Sequence, residues 1–134
     1  MTDRRLIDSH KLHFHPERVA QWKNADTWEA AKAVFPIYVE VSPVGACNHR
    51  CTFCAVDYIG YQSIVLEGPV IRKMLSNMAQ CGVKSVMFAG EGEPLLHKET
   101  NVNVLAGYQA GIDLAFTTNG VLLHKLREIN LCKW

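Results

Sequence analysis

Ile37-Tyr38-Val39-Glu40-Val41-Ser42-Pro43-Val44-Gly45-Ala46-Cys47-Asn48-His49-Arg50-Cys51-Thr52-Phe53-Cys54 carries two signals in one run. Its first six residues alternate with period two and are rich in β-branched side chains, which reads as a strand. Ile37, Val39 and Val41 face one way and Tyr38, Glu40 and Ser42 the other. Pro43 to Ala46 is turn chemistry. It leads into three thiols spaced C-x-x-x-C-x-x-C, at Cys47, Cys51 and Cys54. Thiolates are soft ligands that suit iron–sulfur clusters or zinc. Three ligands are one short of a closed four-ligand site. The stretch therefore reads either as a cubane of four irons with one iron left open, or as a zinc site completed elsewhere, for instance by His49.

The same grammar repeats downstream. Pro69 opens a helix over 69–81, with an apolar stripe of Val70, Ile71, Met74, Leu75, Met78 and Ala79 and a glycine stop at Gly82. Ser85-Val86-Met87-Phe88-Ala89 is a short apolar run of the buried-strand kind. It runs into Gly90-Glu91-Gly92-Glu93-Pro94. A second helix is expected over 100–110, with Val104, Leu105 and Tyr108 inward and Gly111 as its cap. A third strand follows at 113–117, ending in Thr118-Asn119-Gly120, and a third helix at 121–130. Residues 55–67 read as a loop. Cys81 reads as a buried free thiol.

Upstream, residues 1–35 form a helical lead segment. Pro16 suits a first helical turn, and Asp26 or Thr27 suits the cap of a second helix. Trp22 and Trp28 read as packing residues. His10, His13 and His15 read as surface or packing histidines rather than a metal site. The segment is expected against the outside or bottom of the main domain.

The chain has 134 residues, 49% apolar and 20% charged, with net charge +1. That fits one small domain with a modest core. There is no basic run that would mark a nucleic-acid binder, and no apolar run long enough to span a bilayer. Met1 to Arg5 lacks the apolar core of a secretory signal. Five cysteines, three of them clustered, do not read as a secreted disulfide framework, so the expected compartment is the cytoplasm.

Alternating strands and helices with short connections argue a parallel sheet with right-handed crossovers. In such folds the chemistry gathers at the carboxyl ends of the strands. The cysteines follow the first strand, Gly90 to Pro94 the second and Thr118 to Gly120 the third, so all three loops are expected on one rim.

In these three loops the sequence resembles the radical S-adenosylmethionine (radical SAM) superfamily, and the resemblance extends over residues 36–134. Phe53 matches the aromatic position before the last cysteine. Gly92-Glu93-Pro94 matches the tail of the Gly-Gly-Glu-Pro motif, with Glu91 standing where the first of the two glycines is usual. Thr117-Thr118-Asn119-Gly120 is similar to the third-strand ending of the molybdenum-cofactor cyclase branch and of peptide-maturation relatives. The resemblance implies a partial (β/α)6 TIM-like barrel, of which this chain would hold the N-terminal half. The core domain would be truncated before its fourth strand, whose start the last residues resemble. The rest would lie on a longer chain or a partner.

By the same resemblance, Cys47, Cys51 and Cys54 would hold a 4Fe-4S cluster whose open iron binds S-adenosyl-L-methionine. Gly92 and Glu93 would meet its amino group, Thr118 and Asn119 its polar part and Phe53 its adenine end. The implied activity is reductive cleavage to a 5′-deoxyadenosyl radical that takes hydrogen from a small-molecule or peptide substrate. An electron donor such as flavodoxin or ferredoxin is implied as partner. A zinc-binding module and an iron–sulfur electron carrier without radical chemistry stay open as alternatives.

Overall fold

The computed structural model of the chain describes residues 9–133. The start of the lead segment, Met1 to Arg5 included, and Trp134 lie outside the described residues. Three strands, β1 (Tyr38–Val41), β2 (Ser85–Phe88) and β3 (Asp113–Phe116), form one parallel sheet in the order β1-β2-β3. Val41, Phe88 and Phe116 stand in register across it, as do Glu40, Met87 and Ala115. Because side chains alternate along a strand, each row keeps to one face.

The apolar face carries Val41, Val86, Phe88 and Leu114, closed over by α4 (Gly68–Gln80) and α5 (Thr100–Gln109). Ile71 and Leu75 of α4 and Val104 of α5 are fully buried there, and Val39 packs against the same core. Met74, Met78 and Ala79 border it, whereas Val70, expected in the stripe, is exposed: it stands one residue, a hundred degrees of helix, from Ile71. On α5 the inward face runs through Asn103, Val104 and Gly107, and Leu105 and Tyr108 point outward, against expectation. Gly107 is the reason. A Cβ there would stand 2.8 Å from Cδ1 of Leu114, so the bare backbone lets α5 settle on β3 along that line.

The opposite face of the sheet lies away from α4 and α5. Tyr38 Oη donates to Glu40 Oε1 at 2.6 Å and reaches Met87 Sδ at 3.5 Å, while Thr117 Oγ1 reaches the same sulfur at 3.0 Å. Burial and the neighbouring Glu40 carboxylate push the Tyr38 phenol up to about 12, so it stays a donor. Glu40 thus lies on the side away from the helices and is exposed.

Two local expectations are corrected. Residues 55–67 contain a short helix, α3 (Ala55–Ile59), which Gly60 ends at φ +95°. Five residues are too few to show a period. The helix expected over 121–130 is instead two 3₁₀ turns, Leu123–Lys125 and Ile129–Leu131. The Asn101 side chain explains the break. Its Oδ1 accepts the N–H groups of Arg127 (2.8 Å) and Glu128 (3.4 Å), and its Nδ2 donates to Lys125 O (3.0 Å). Those backbone groups would otherwise pair within a helix. Beyond the turns, Cys132 forms an isolated parallel bridge with Leu114, and Lys133 N donates to Leu114 O at 2.7 Å beside β3.

The lead segment forms α1 (Pro16–Lys23) and α2 (Trp28–Ala31), the latter capped by Thr27 Oγ1, which accepts Ala30 N at 3.2 Å. It sits at the bottom of the sheet, where Arg18 donates to the carbonyls of Phe35 and Gly82. Trp22 and Trp28 are 61% and 75% exposed and are not core residues. Trp22 only borders an open hollow with Leu12, Val19 and Phe35, since a single layer of short helices leaves nothing to bury it. Cys81 and Cys132 are free but only half-buried, which corrects the reading of Cys81.

Candidate active site

The cysteine loop is closed at its base. Val44 and Val65 form an antiparallel bridge, Gly45 N donates to Ile64 O at 2.8 Å and Leu66 N to Pro43 O at 3.0 Å. Gly45 must lack a side chain, because a Cβ would collide with the Gln62 carbonyl. Within the loop, Cys54 N donates to Cys51 O at 2.9 Å, which curls the last two cysteines round one turn.

Arg50 fixes the rest. Its guanidinium donates to Cys47 O (3.0 Å) and His49 O (2.8 Å), pairs with Asp57 (3.2 Å) and lies 4.6 Å over the Tyr61 ring. Tyr61 Oη in turn stands 3.5 Å from Cys54 Sγ. Cys47 Sγ accepts from His49 N at 3.4 Å and is approached by Asn119 Nδ2 at 3.9 Å. The Tyr61 hydrogen bond, helped by the backbone N–H groups of Asp57 and Val56, holds the Cys54 thiol below its ordinary value. The Tyr61 phenol moves up for the same reason, its bond to Cys54 coming first and its burial second. Arg50, Asp57 and Tyr61 were not singled out from the sequence. No spacing rule marks them, because their roles depend on a loop folding back on itself.

The second loop leaves β2 through Gly90, at φ +111° and with its Cα packed so that a Cβ would stand 2.7 Å from Ser42 Cβ. Glu91 is exposed and donates its N–H to Ser42 Oγ at 3.3 Å. Among the described residues only glycines have positive φ, so position 91 accepts a side chain. Gly92 does not, since a Cβ would run into the carbonyls of Val44 and Ala46. Glu93 N then donates to Ala46 O at 2.9 Å, laying this loop on the base of the cysteine loop.

The Glu93 side chain is 2% exposed. Its Oε1 accepts Leu95 N (2.9 Å) and Thr118 Oγ1 (2.7 Å), and its Oε2 accepts Asn119 N (2.9 Å). A buried carboxylate with three donors is satisfied, so its free atoms are not offered to solvent. In the third loop, Gly120 N donates to Thr118 Oγ1 and Val121 N to Asn119 Oδ1, both at 3.1 Å. Asn119 Nδ2 donates to Asn48 Oδ1 at 2.8 Å, returning to the cysteine loop. Thr118 and Asn119 have spent their side-chain donors internally, and what those side chains can present to a ligand is acceptor lone pairs.

The structure therefore brings Cys47, Cys51, Cys54, Gly92, Glu93, Thr118 and Asn119 to one rim. Phe53, on the same loop as the cysteines, is 91% exposed. The donor set is three free, half-buried thiols with N–H and O–H groups aimed at two of the sulfurs, which suits thiolate ligands. Among the described residues, no three His, Cys, Asp or Glu side chains stand close enough to hold a single ion. A cluster that takes one thiolate on each of three irons asks for a wider spread. None of the described helices is long and apolar enough to cross a membrane.

Comparison with known proteins agrees with this arrangement. The model of the Radical SAM superfamily matches residues 41–133. The GTP 3′,8-cyclase of Chlorobaculum tepidum is 39% identical over 90 residues, covering 66% of this chain and 27% of that protein. The GTP 3′,8-cyclase of Campylobacter fetus is 37% identical over 94 residues, covering 66% and 29%. Among solved structures, Streptococcus suis SuiB bound to the precursor peptide SuiA superposes with a TM-score of 0.64 at 22% identity, over 90% of this chain and 26% of that one. BtrN in complex with AdoMet and 2-DOIA gives 0.57 at 22%, over 69% and 42%. These two likenesses carry the fold alone. The chain spans less than a third of the length of the two cyclases it matches.

Proposed function

The chain belongs to the Radical SAM superfamily, and from that premise we propose that residues 36–134 hold a 4Fe-4S cluster on Cys47, Cys51 and Cys54 and bind S-adenosyl-L-methionine at its open iron, with residues 1–35 as a lead segment. When bound, the cluster supplies the electron that splits S-adenosylmethionine into methionine and a 5′-deoxyadenosyl radical, the species that takes hydrogen from a substrate. The chain's own residues orient and tune. Arg50 ties the cysteine loop through the carbonyls of Cys47 and His49. The backbone of Gly92 and Glu93 faces the amino group of the cofactor; the Glu93 carboxylate does not, being held by Leu95, Thr118 and Asn119. Thr118 Oγ1 and Asn119 Oδ1 offer lone pairs to its polar part, and Phe53 meets its adenine end.

The observation that carries this reading is the joining of three strand-end loops through one buried carboxylate, with the thiols on the first of them. Pre-set geometry of this kind is what radical chemistry asks of a protein, since the cofactor brings the reactivity. The substrate is a small molecule or peptide, the reductant a flavodoxin- or ferredoxin-like protein, and the compartment the cytoplasm. The cyclization of GTP belongs to the named relatives, of which the chain covers about a quarter to three tenths.

The test is anaerobic reconstitution with iron and sulfide, read by absorbance and electron paramagnetic resonance (EPR). Cys47→Ala, Cys51→Ala and Cys54→Ala should each abolish the cluster, and Cys81→Ala and Cys132→Ala should keep it. S-adenosylmethionine should change the EPR spectrum of the reduced wild type. A colourless protein that retains zinc overturns the reading, and a cluster indifferent to S-adenosylmethionine reduces it to an electron carrier.

A further inference from the structure

We propose that Tyr61 is a positioning residue of the cluster site: its phenol donates a hydrogen bond to the Cys54 sulfur and so sets how readily the group held by that thiolate accepts an electron. The proposal rests on the cluster reading above.

Tyr61 lies outside the cysteine motif, yet the fold returns it to the thiols. Gly60, at φ +95°, reverses the chain at the end of α3. Four residues further on, Ile64 is pinned under Gly45 by the 2.8 Å bond that closes the loop. The turn between these points carries the phenol to within 3.5 Å of Cys54 Sγ. The ring is not free to swing away. Arg50 lies 4.6 Å over it, and Arg50 is itself fixed by Asp57 at 3.2 Å and by two carbonyls of the cysteine loop. Asp57, Arg50, Tyr61 and Cys54 thus form one relay from surface carboxylate to sulfur.

When Cys54 is a thiolate it has no proton to give, so the phenol is the donor. A donor to a ligand sulfur draws electron density from it. Adding an electron to the cluster raises the negative charge on its sulfurs, so the hydrogen bond strengthens on reduction and the potential rises. The Arg50 charge above the ring acts in the same direction. A tyrosine that only filled space would make the same ring contacts and leave the potential alone.

That difference is the test. The full 134-residue wild type and Tyr61→Phe are reconstituted anaerobically with iron and sulfide, and the midpoint potential is followed by EPR during reductive titration. Tyr61→Phe keeps the ring and the Arg50 contact and loses only the hydroxyl; its midpoint should move to more negative values. A chain with 3-fluorotyrosine at position 61, a stronger donor of nearly the same shape, should move the opposite way. Tyr58→Phe, at a position 93% exposed, serves as control and should not move it. An unchanged midpoint in a cluster-bearing Tyr61→Phe overturns the proposal. If that variant assembles no cluster, the fluorinated chain decides, and the absence of a positive shift there overturns it. A wild type that assembles no cluster fells the functional reading and this inference with it, which separates the two failures.

Discussion

Replacing Glu93 should loosen the rim and destabilise the fold, by an amount that the hydrogen bonds fix. Glu93→Ala strips the acceptor from Leu95 N–H, Asn119 N–H and the Thr118 hydroxyl. Leu95 is buried and its N–H becomes an orphan, at about 1–3 kcal/mol. Asn119 and Thr118 are half-buried and recover part of their loss from water. With the cavity added, the expected cost is about 3–5 kcal/mol. That is a large share of the stability of a small domain, about 5–15 kcal/mol. Glu93→Gln is milder. The retained oxygen can still serve Leu95 and Thr118, but the amide then faces the Asn119 N–H with a donor, and about 1–2 kcal/mol is lost. Urea unfolding of the metal-free chain, followed by far-ultraviolet circular dichroism, gives the order wild type, Gln, Ala at constant slope. The Glu93→Ala, Thr118→Val double-mutant cycle should show coupling, since the two side chains share a 2.7 Å bond that each single change removes. Glu93→Ala within about 0.5 kcal/mol of wild type, the scatter of ordinary surface changes, would refute the argument.

Two further outcomes are expected. Gly107→Ala should destabilise despite the better helix propensity of alanine: the new methyl would stand 2.8 Å from Leu114 Cδ1, and overpacking of about 1–3 kcal/mol outweighs the roughly 1 kcal/mol that alanine returns; a melting temperature above wild type would contradict it. In the metal-free chain, alkylation mapped by mass spectrometry from mildly acid to alkaline pH should label Cys54 early and Cys132 last. The Tyr61 bond lowers the first thiol, burial pushes the second up to about 11, and the thiolate is the nucleophile; labelling of Cys132 alongside Cys54 would count against both environments.

What the sequence declares is what neighbours in sequence decide. The alternation at 37–42 and the glycines at 82 and 111 act within a few residues, and the strands and the helices α4 and α5 follow them. Which face of α5 turns inward was not legible, because it depends on Gly107 meeting Leu114 from another element. Nor was the break at 121–130, where Asn101 reaches across from α5 to take backbone groups. The Glu93 clamp was hidden for the same reason. In the sequence Glu93 is one polar residue in a turn, while its partners lie 25 and 26 residues away.

The position of that clamp follows from the order of the sheet. With β2 between β1 and β3, the loop after β2 emerges between the other two strand-end loops and contacts both. Glu93 holds the rim together from there with two different parts. Its backbone N–H reaches back to Ala46 over β1, and its carboxylate reaches forward to Thr118 and Asn119 over β3. The bare Cα of Gly92 lets the loop lie close enough for the first contact, and burial of Glu93 excludes water from the second. Asn119 then closes the circle through Asn48. The rim therefore depends on a Gly-Glu pair in the middle loop whatever ligand it serves, and position 91, which takes part only through its N–H to Ser42, is free to depart from glycine.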